Sequence, residues 1–160
     1  MPSRTEDVSA DFAFTLNGRA TRVRAEPTQP LAGILRDTCG LQATRVGCGL
    51  GQCGSCTVLV DDEAVRACET AVEAVAGRAV TTLEGLGSRD APHPLQAAFI
   101  EEQALQCGFC TSGMLMRAAA LLKRNPHPGE DEIRQALHDN LCRCGVHNRV
   151  VRAVRKAAGA

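Results

Sequence analysis

Nine cysteines stand at positions 39, 48, 53, 56, 68, 107, 110, 142 and 144 of the 160-residue chain. Eight of them fall into two sets with the spacing of metal ligands. The first set is Cys48-x4-Cys53-x2-Cys56, with Cys68 after eleven intervening residues. That is the plant-type arrangement for a 2Fe–2S cluster. Gly47, Gly49, Gly51 and Gly54 are interleaved with these thiols. A loop that wraps a small anionic cluster turns sharply several times and brings backbone N–H groups close to sulfur. Glycine permits positive φ and removes the Cβ from that approach. N–H contacts to sulfur in turn help set the reduction potential, about −400 mV for plant-type clusters. Zinc is the competing reading, but zinc usually takes two close pairs, not an x4/x2 triplet in a glycine loop.

Cys107-x2-Cys110 and Cys142-x-Cys144 supply the second set, separated by 31 residues. By spacing alone this set is open between zinc and iron–sulfur. The intervening stretch has the pattern of two helices, and an antiparallel helix pair returns its ends to one place. Two clusters in one chain would make a wire, with electrons entering at one and leaving at the other. Disulfides are a poorer account of the thiols. The count is odd, and the N-terminus Met-Pro-Ser-Arg-Thr-Glu-Asp has acids and no apolar run behind it, so no signal peptide is expected. A reducing compartment, the cytoplasm, is expected, and no stretch is long enough to span a membrane.

Other residues carry less. Cys39 fits neither set and reads as a small buried hydrophobe. His93, His127 and His138 fall at a linker, a loop and a helix end, where solvated or capping roles are expected. His147 follows the last cysteine pair; a structural role is favoured over a hydrogen bond near the cluster. No Ser/His/Asp set or paired carboxylates stand out, so no substrate chemistry is expected in this chain. Eighteen basic residues balance eighteen acidic ones, which gives no electrostatic footprint for nucleic acid.

The elements that must position these cysteines follow from pattern. Residues 1–10 are polar and read as a loose tail. Phe12, Phe14 and Leu16 alternate as a strand, Asn17-Gly18 is a hairpin turn, and Thr21 to Arg24 return. Pro30 opens a short helix from Leu31 to about Asp37. Thr57 to Val60 is a β-branched strand, Asp61-Asp62-Glu63 a three-residue turn, and Ala64 to Cys68 its partner. With Val60 opposite Ala64, Cys56 falls opposite Cys68, at a Cβ separation of about 5 Å. Val80 to Leu83 is a further strand. Residues 11–84 thus form a small α+β unit, and residues 85–94 are a linker by composition. Residues 95–160 are helical. Leu95, Ala98, Phe99 and Glu102 have helix spacing, and Met114 to Leu122 is a strong helix former. Acids at 130–132 open another helix, and Val150, Val151, Val154 and Ala157 form the stripe of the last. Arg149, Arg152, Arg155 and Lys156 lie mostly off that stripe and read as a solvated face.

Three motifs are specific together. Gly-Cys-Gly-Leu-Gly-Gln-Cys-Gly-Ser-Cys-Thr-Val, Gln-Cys-Gly-Phe-Cys-Thr-Ser-Gly-Met and Asn-Leu-Cys-Arg-Cys-Gly occur in that order. Together they resemble the small iron–sulfur subunit of the molybdenum hydroxylases, the xanthine dehydrogenase and aldehyde oxidase family. The resemblance runs from about Phe12 to the last helix. It implies an α+β chain: a ferredoxin-like β-grasp domain, then a four-helix-bundle domain, each with one 2Fe–2S cluster. It implies a large partner chain holding molybdopterin, as the cytosine dinucleotide in bacterial members, which oxidises an aldehyde or an N-heteroaromatic carbon. It also implies that Gln106 and Cys144 contact the pterin. The electrons then leave through the β-grasp cluster to FAD, or to haem in a cytochrome. Gly145-Val146-His147 replaces the Thr-Gly-Tyr of many members, and Ser112 stands where many have Pro. Both look like the isoquinoline and nicotinate hydroxylase branch, in which a separate flavin subunit is often missing. The readings left from other classes are a free-standing ferredoxin-type carrier, which needs only the first 85 residues, and a zinc-dependent structural module.

Overall fold

The computed structural model describes residues 8–159. Most of the expected N-terminal tail lies outside the described residues, and Ala10 already begins β1 (Ala10–Leu16). β1 pairs antiparallel with β2 (Arg19–Ala25), with Leu16 opposite Arg19. The connection is therefore the two residues Asn17 and Gly18, at φ 51° and 78°. This primed turn matches the natural twist of the strands. Alternation buries Phe14, Leu16, Val23 and Ala25 on one face.

After Pro30 the short helix α1 (Leu31–Gly33) runs into a π-helical turn, Ile34–Thr38. It buries Leu31, Ala32, Ile34 and Leu35 against the sheet. β3 (Thr57–Val60) pairs with β4 (Glu63–Arg66), Val60 opposite Glu63. The expected three-residue turn is thus a two-residue one. Asp61 and Asp62 both have positive φ, 48° and 70°, a conformation that short Asx side chains tolerate. The register shifts by one as a result. Ala67, not Cys68, donates its N–H to the carbonyl of Cys56, at 3.3 Å.

β5 (Ala79–Thr81) lies between β1 and β3, parallel to the first and antiparallel to the second, giving the order β2-β1-β5-β3-β4. The strand expected over Val80–Leu83 ends at Thr81. There the Asn17 side chain takes the next backbone donor, Thr82 N–H to Oδ1 at 2.9 Å. It also donates to Thr82 Oγ1 at 3.0 Å. With that donor diverted from the ladder, Leu83–Leu86 turn into the short helix α2.

Four helices follow: α3 (Pro94–Glu101), α4 (Thr111–Arg124), α5 (Glu130–Ala136) and α6 (His147–Ala157). Their core is Leu95, Phe99, Met114, Ile133, Val150, Val154 and their neighbours. A small third cluster, Leu59 with Met116 and Ala120, packs α4 onto the sheet. The basic residues of α6 are less free than a solvated face implies. Arg152 pairs with Glu102, Lys156 with Glu101 and Arg155 with Glu130, at 3.1, 2.6 and 3.5 Å. Each such exposed pair contributes only about 0–1 kcal/mol. No helix among the described residues is long and apolar enough to cross a membrane.

Candidate metal centres

The loop between α1 and β3 folds its amides inward onto sulfur. Cys48 Sγ accepts from the N–H groups of Leu50, Gln52 and Cys53 at 3.3–3.4 Å. Cys53 Sγ accepts from Cys48 N–H at 3.4 Å, and Cys68 Sγ from Gly51 N–H at 3.3 Å. The amides of Leu50, Cys53 and Gln52 lower the Cys48 thiol to about 6, since donors favour the charged form. Gly47 is forced by contact: a Cβ there would sit 2.7 Å from Cys53 Sγ. Gly51 lies at φ 65°, which favours glycine, beside the carboxylate of the exposed Glu69.

The sulfurs gather in pairs. Cys48 meets Cys53, while Cys56 lies beside Cys68. The one-residue register shift therefore still delivers Cys68 to the site, from just past the end of β4. Cys56 is buried, and desolvation first, then its cysteine neighbours, push its thiol up to about 12. Each centre thus has an outer pair beside solvent and an inner pair against the core.

The second set repeats the arrangement. Cys107 Sγ lies 3.6 Å from Cys144 Sγ, and Cys110 lies beside Cys142. The Phe109 amide, then Cys144, lowers the Cys107 thiol. Burial raises Cys110 to about 12. Desolvation opposes ionisation of Cys142, but the amide of Val146, the Cys110 side chain and the amides of Cys144 and Gly145 outweigh it. Gln106 Nε2 donates to the Cys144 carbonyl at 3.4 Å, so the two residues tied by resemblance to the pterin stand side by side. Ser112 Oγ, in the first turn of α4 beside Cys110, is the one buried side-chain polar atom among the described residues that lacks a partner. Amides aimed at sulfur, a cradle that a Cβ would fill and two close thiol pairs per set all fit a small anionic cluster held by thiolates.

Cys39 joins neither centre; it is half-buried against the sheet core, and burial raises its thiol. His93 caps α3, its Nδ1 accepting from Leu95 N–H at 3.2 Å. His127 Nδ1 donates to the Ala158 carbonyl at 3.1 Å, and His138 is exposed.

Further positions tie the centres together, and most of them escaped the sequence reading. Leu141, the residue before Cys142, donates its N–H to the carbonyl of Cys53 at 3.0 Å. Asn140 is 2 % exposed and donates from Nδ2 to the Gly54 carbonyl at 3.1 Å. His147 Nε2 donates to the Asn140 carbonyl at 2.8 Å, which fixes that nitrogen as the protonated one because a carbonyl only accepts. Arg66 places Nη1 on the Gly51 carbonyl at 2.6 Å and Nη2 on Asp139 at 3.2 Å. At Gly113, α4 approaches so closely that a Cβ would run into the Gly54 carbonyl. Asn140 and Gly113 sit inside the cysteine motifs, which was a usable signal; Arg66 had none.

Comparison with known proteins bears on the same two regions. Residues 14–82 match the 2Fe-2S iron-sulfur cluster binding domain, and residues 82–155 the [2Fe-2S] binding domain. The chain is 54% identical over 147 residues to a nicotinate dehydrogenase subunit of Pseudomonas putida, covering 92% of this chain and 94% of that one. It is 49% identical to the alpha subunit of isoquinoline 1-oxidoreductase from Brevundimonas diminuta, covering 91% and 95%. Its structure superposes on a chain of quinoline 2-oxidoreductase from Pseudomonas putida 86 with a TM-score of 0.91, at 39% identity and 96% coverage of both.

Proposed function

Because the chain belongs to the small iron–sulfur subunits of the molybdenum hydroxylase family, we propose that its paired cysteines form the outlet for electrons from a molybdopterin centre in a large partner chain. The protein is the electron-transfer subunit of an oxidoreductase and binds 2Fe–2S clusters. Cys48, Cys53, Cys56 and Cys68 hold one cluster; Cys107, Cys110, Cys142 and Cys144 hold the other. A bound cluster accepts and returns a single electron. Around it, the inward amides stabilise negative charge on sulfur, and buried Cys56 and Cys110 keep water from one side. The observation that carries the reading is the set of five N–H groups converging on Cys48, Cys53 and Cys68. Such a loop is built for thiolate in a cluster.

Residues 11–84 make the β-grasp unit, 85–94 the linker, and 95–160 a unit whose four helices form the bundle. Gln106 and Cys107 are exposed on the helical side, with Cys144 partly buried beside them, where the pterin, as the cytosine dinucleotide, would dock. Leu141 N–H on the Cys53 carbonyl joins the two ligand sets directly. The outlet is then the β-grasp set, facing a flavin subunit or a cytochrome. Gly145-Val146-His147 and Ser112, with relatives that are nicotinate and isoquinoline enzymes, favour an N-heteroaromatic substrate and no separate flavin subunit. The cytoplasm suits ligands that must remain reduced thiols.

The test is metal and acid-labile sulfide analysis of the purified chain, with about four of each expected for two such clusters. Stoichiometric zinc without sulfide would overturn the reading. Cys39→Ser should leave the iron content unchanged. Stoichiometric FAD in the native complex would reject the flavin-free arrangement.

A further inference from the structure

Arg66 makes two contacts that meet at one peptide group. Its Nη1 donates to the Gly51 carbonyl at 2.6 Å. That carbonyl and the N–H of Gln52 belong to the same planar, conjugated amide. The Gln52 N–H in turn donates to Cys48 Sγ at 3.3 Å. A cation on the carbonyl end of an amide draws density toward oxygen and makes its N–H a stronger donor, because hydrogen bonds in series polarise one another. On its other edge the guanidinium meets Asp139 at 3.2 Å, just ahead of Asn140 and the Cys142 ligand. The Arg66 side chain is 24% exposed and that of Asp139 53%. Solvent therefore screens the acid more than the cation.

We propose that Arg66 is a positioning residue for the β-grasp cluster: it orients and polarises the Gly51–Gln52 peptide onto Cys48 and so raises the reduction potential of that cluster. Asp139, reaching across from the helical half, tempers it. Reduction adds negative charge to the cluster, so a stronger donor and a nearby cation both favour the reduced form. The electron concerned enters from the helical-domain cluster or from a chemical reductant, and no bond is made or broken. The only structural demand is that the loop keep Gly51 at its positive φ, with its carbonyl on Arg66.

The inference rests on the assignment of Cys48, Cys53, Cys56 and Cys68 to a cluster. The experiment keeps the two apart. A dithionite titration of the complete, cluster-loaded chain, followed by EPR, gives the midpoint potential of each cluster. Absence of a second 2Fe–2S signal in the unmodified chain would sink the ligand assignment. With both signals present, Arg66→Ala should shift the β-grasp potential to more negative values, and Arg66→Lys should restore most of it. Asp139→Asn should shift the same potential the opposite way, by an amount that shrinks at high salt. In the Arg66→Ala background Asp139→Asn should have little further effect. A merely structural role would not give shifts of opposite sign at the two ends of one ion pair. Unmoved potentials, or an Asp139→Asn shift equal in both backgrounds, would overturn the relay. Asp139 is half exposed, so its variant remains informative even where Arg66→Ala fails to take up iron.

Discussion

Gly113 shows how much one missing side chain decides. It lies on α4, yet its space is taken by the carbonyl of Gly54 and the Cα of Ser55, both in the first cysteine loop. Backbone has nowhere to retreat, so Gly113→Ala should destabilise the folded chain by about 1–3 kcal/mol, the usual penalty for overpacking. Denaturant unfolding of the cluster-loaded chain would read this, and an unchanged midpoint would show that the two halves do not close on Gly113. Asn140 is the complementary case, a nearly fully buried amide whose Nδ2 serves a carbonyl from the other half of the chain. An unpaired buried acceptor typically costs about 1–3 kcal/mol. Residue type alone does not give either role, since each depends on the Gly54 backbone that the fold brings against it. The two cysteine sets themselves were legible, and the fold brings the members of each together, because thiols at fixed spacing have few other uses.

The β3–β4 hairpin is the element where expectation and structure part. A three-residue turn would have set Cys56 opposite Cys68. The two-residue turn sets it opposite Ala67. Asp61 explains the choice, for its carboxylate accepts from Ala79 N–H at 2.9 Å and from Arg78 Nε at 2.6 Å. The Ala79 amide first, then Arg78, holds the Asp61 carboxyl below its ordinary value of 3.8. A depressed carboxyl contributes stability that is present above the unfolded value and is lost as pH falls through the folded one. The chain should therefore be more stable than Asp61→Asn at neutral pH, and the difference should shrink below about pH 4 and vanish in stronger acid. Thermal melts of the two proteins across that range would test it; a difference independent of pH would mean that Asp61 acts only through turn geometry. Asparagine tolerates the same positive φ, so the variant leaves the turn intact.

At the scale of the whole molecule, two cysteine sets far apart in sequence are fastened by a few polar contacts and one small apolar seam. Leu141 on Cys53, Asn140 on Gly54, Arg66 on Asp139 and Arg117 on the Ala64 carbonyl all cross between the sheet and the helices. The seam of Leu59, Met116 and Ala120 lies behind them. The consequence is directional. Gln106 is exposed and donates to the Cys144 carbonyl in the helical half, while the first loop meets that half through Cys53 and Gly54. With the pterin docked at Gln106 as proposed, Gln106→Ala should keep both clusters but slow their reduction by substrate in the complete complex by about tenfold or more, as loss of a supporting contact beside a metal site commonly does. Freeze-quench EPR would measure it. Unchanged rates with normally bound pterin would remove Gln106 from the entry side.

The sequence by itself determined the division of eight cysteines into two sets, the order of sheet then helices, and the family. Those features are local: spacing, glycine content and apolar period act over a few residues and survive without a tertiary context. The register of β3 on β4, the end of β5 at Thr81 and the burial of Asn140 were decided only in the folded molecule. Each depends on a partner remote in the chain: Asp61 with Ala79, Asn17 with Thr82, Asn140 with Gly54. A hydrogen bond between residues so far apart leaves no periodic trace in the sequence, because its energy depends on where the rest of the chain has brought the donor.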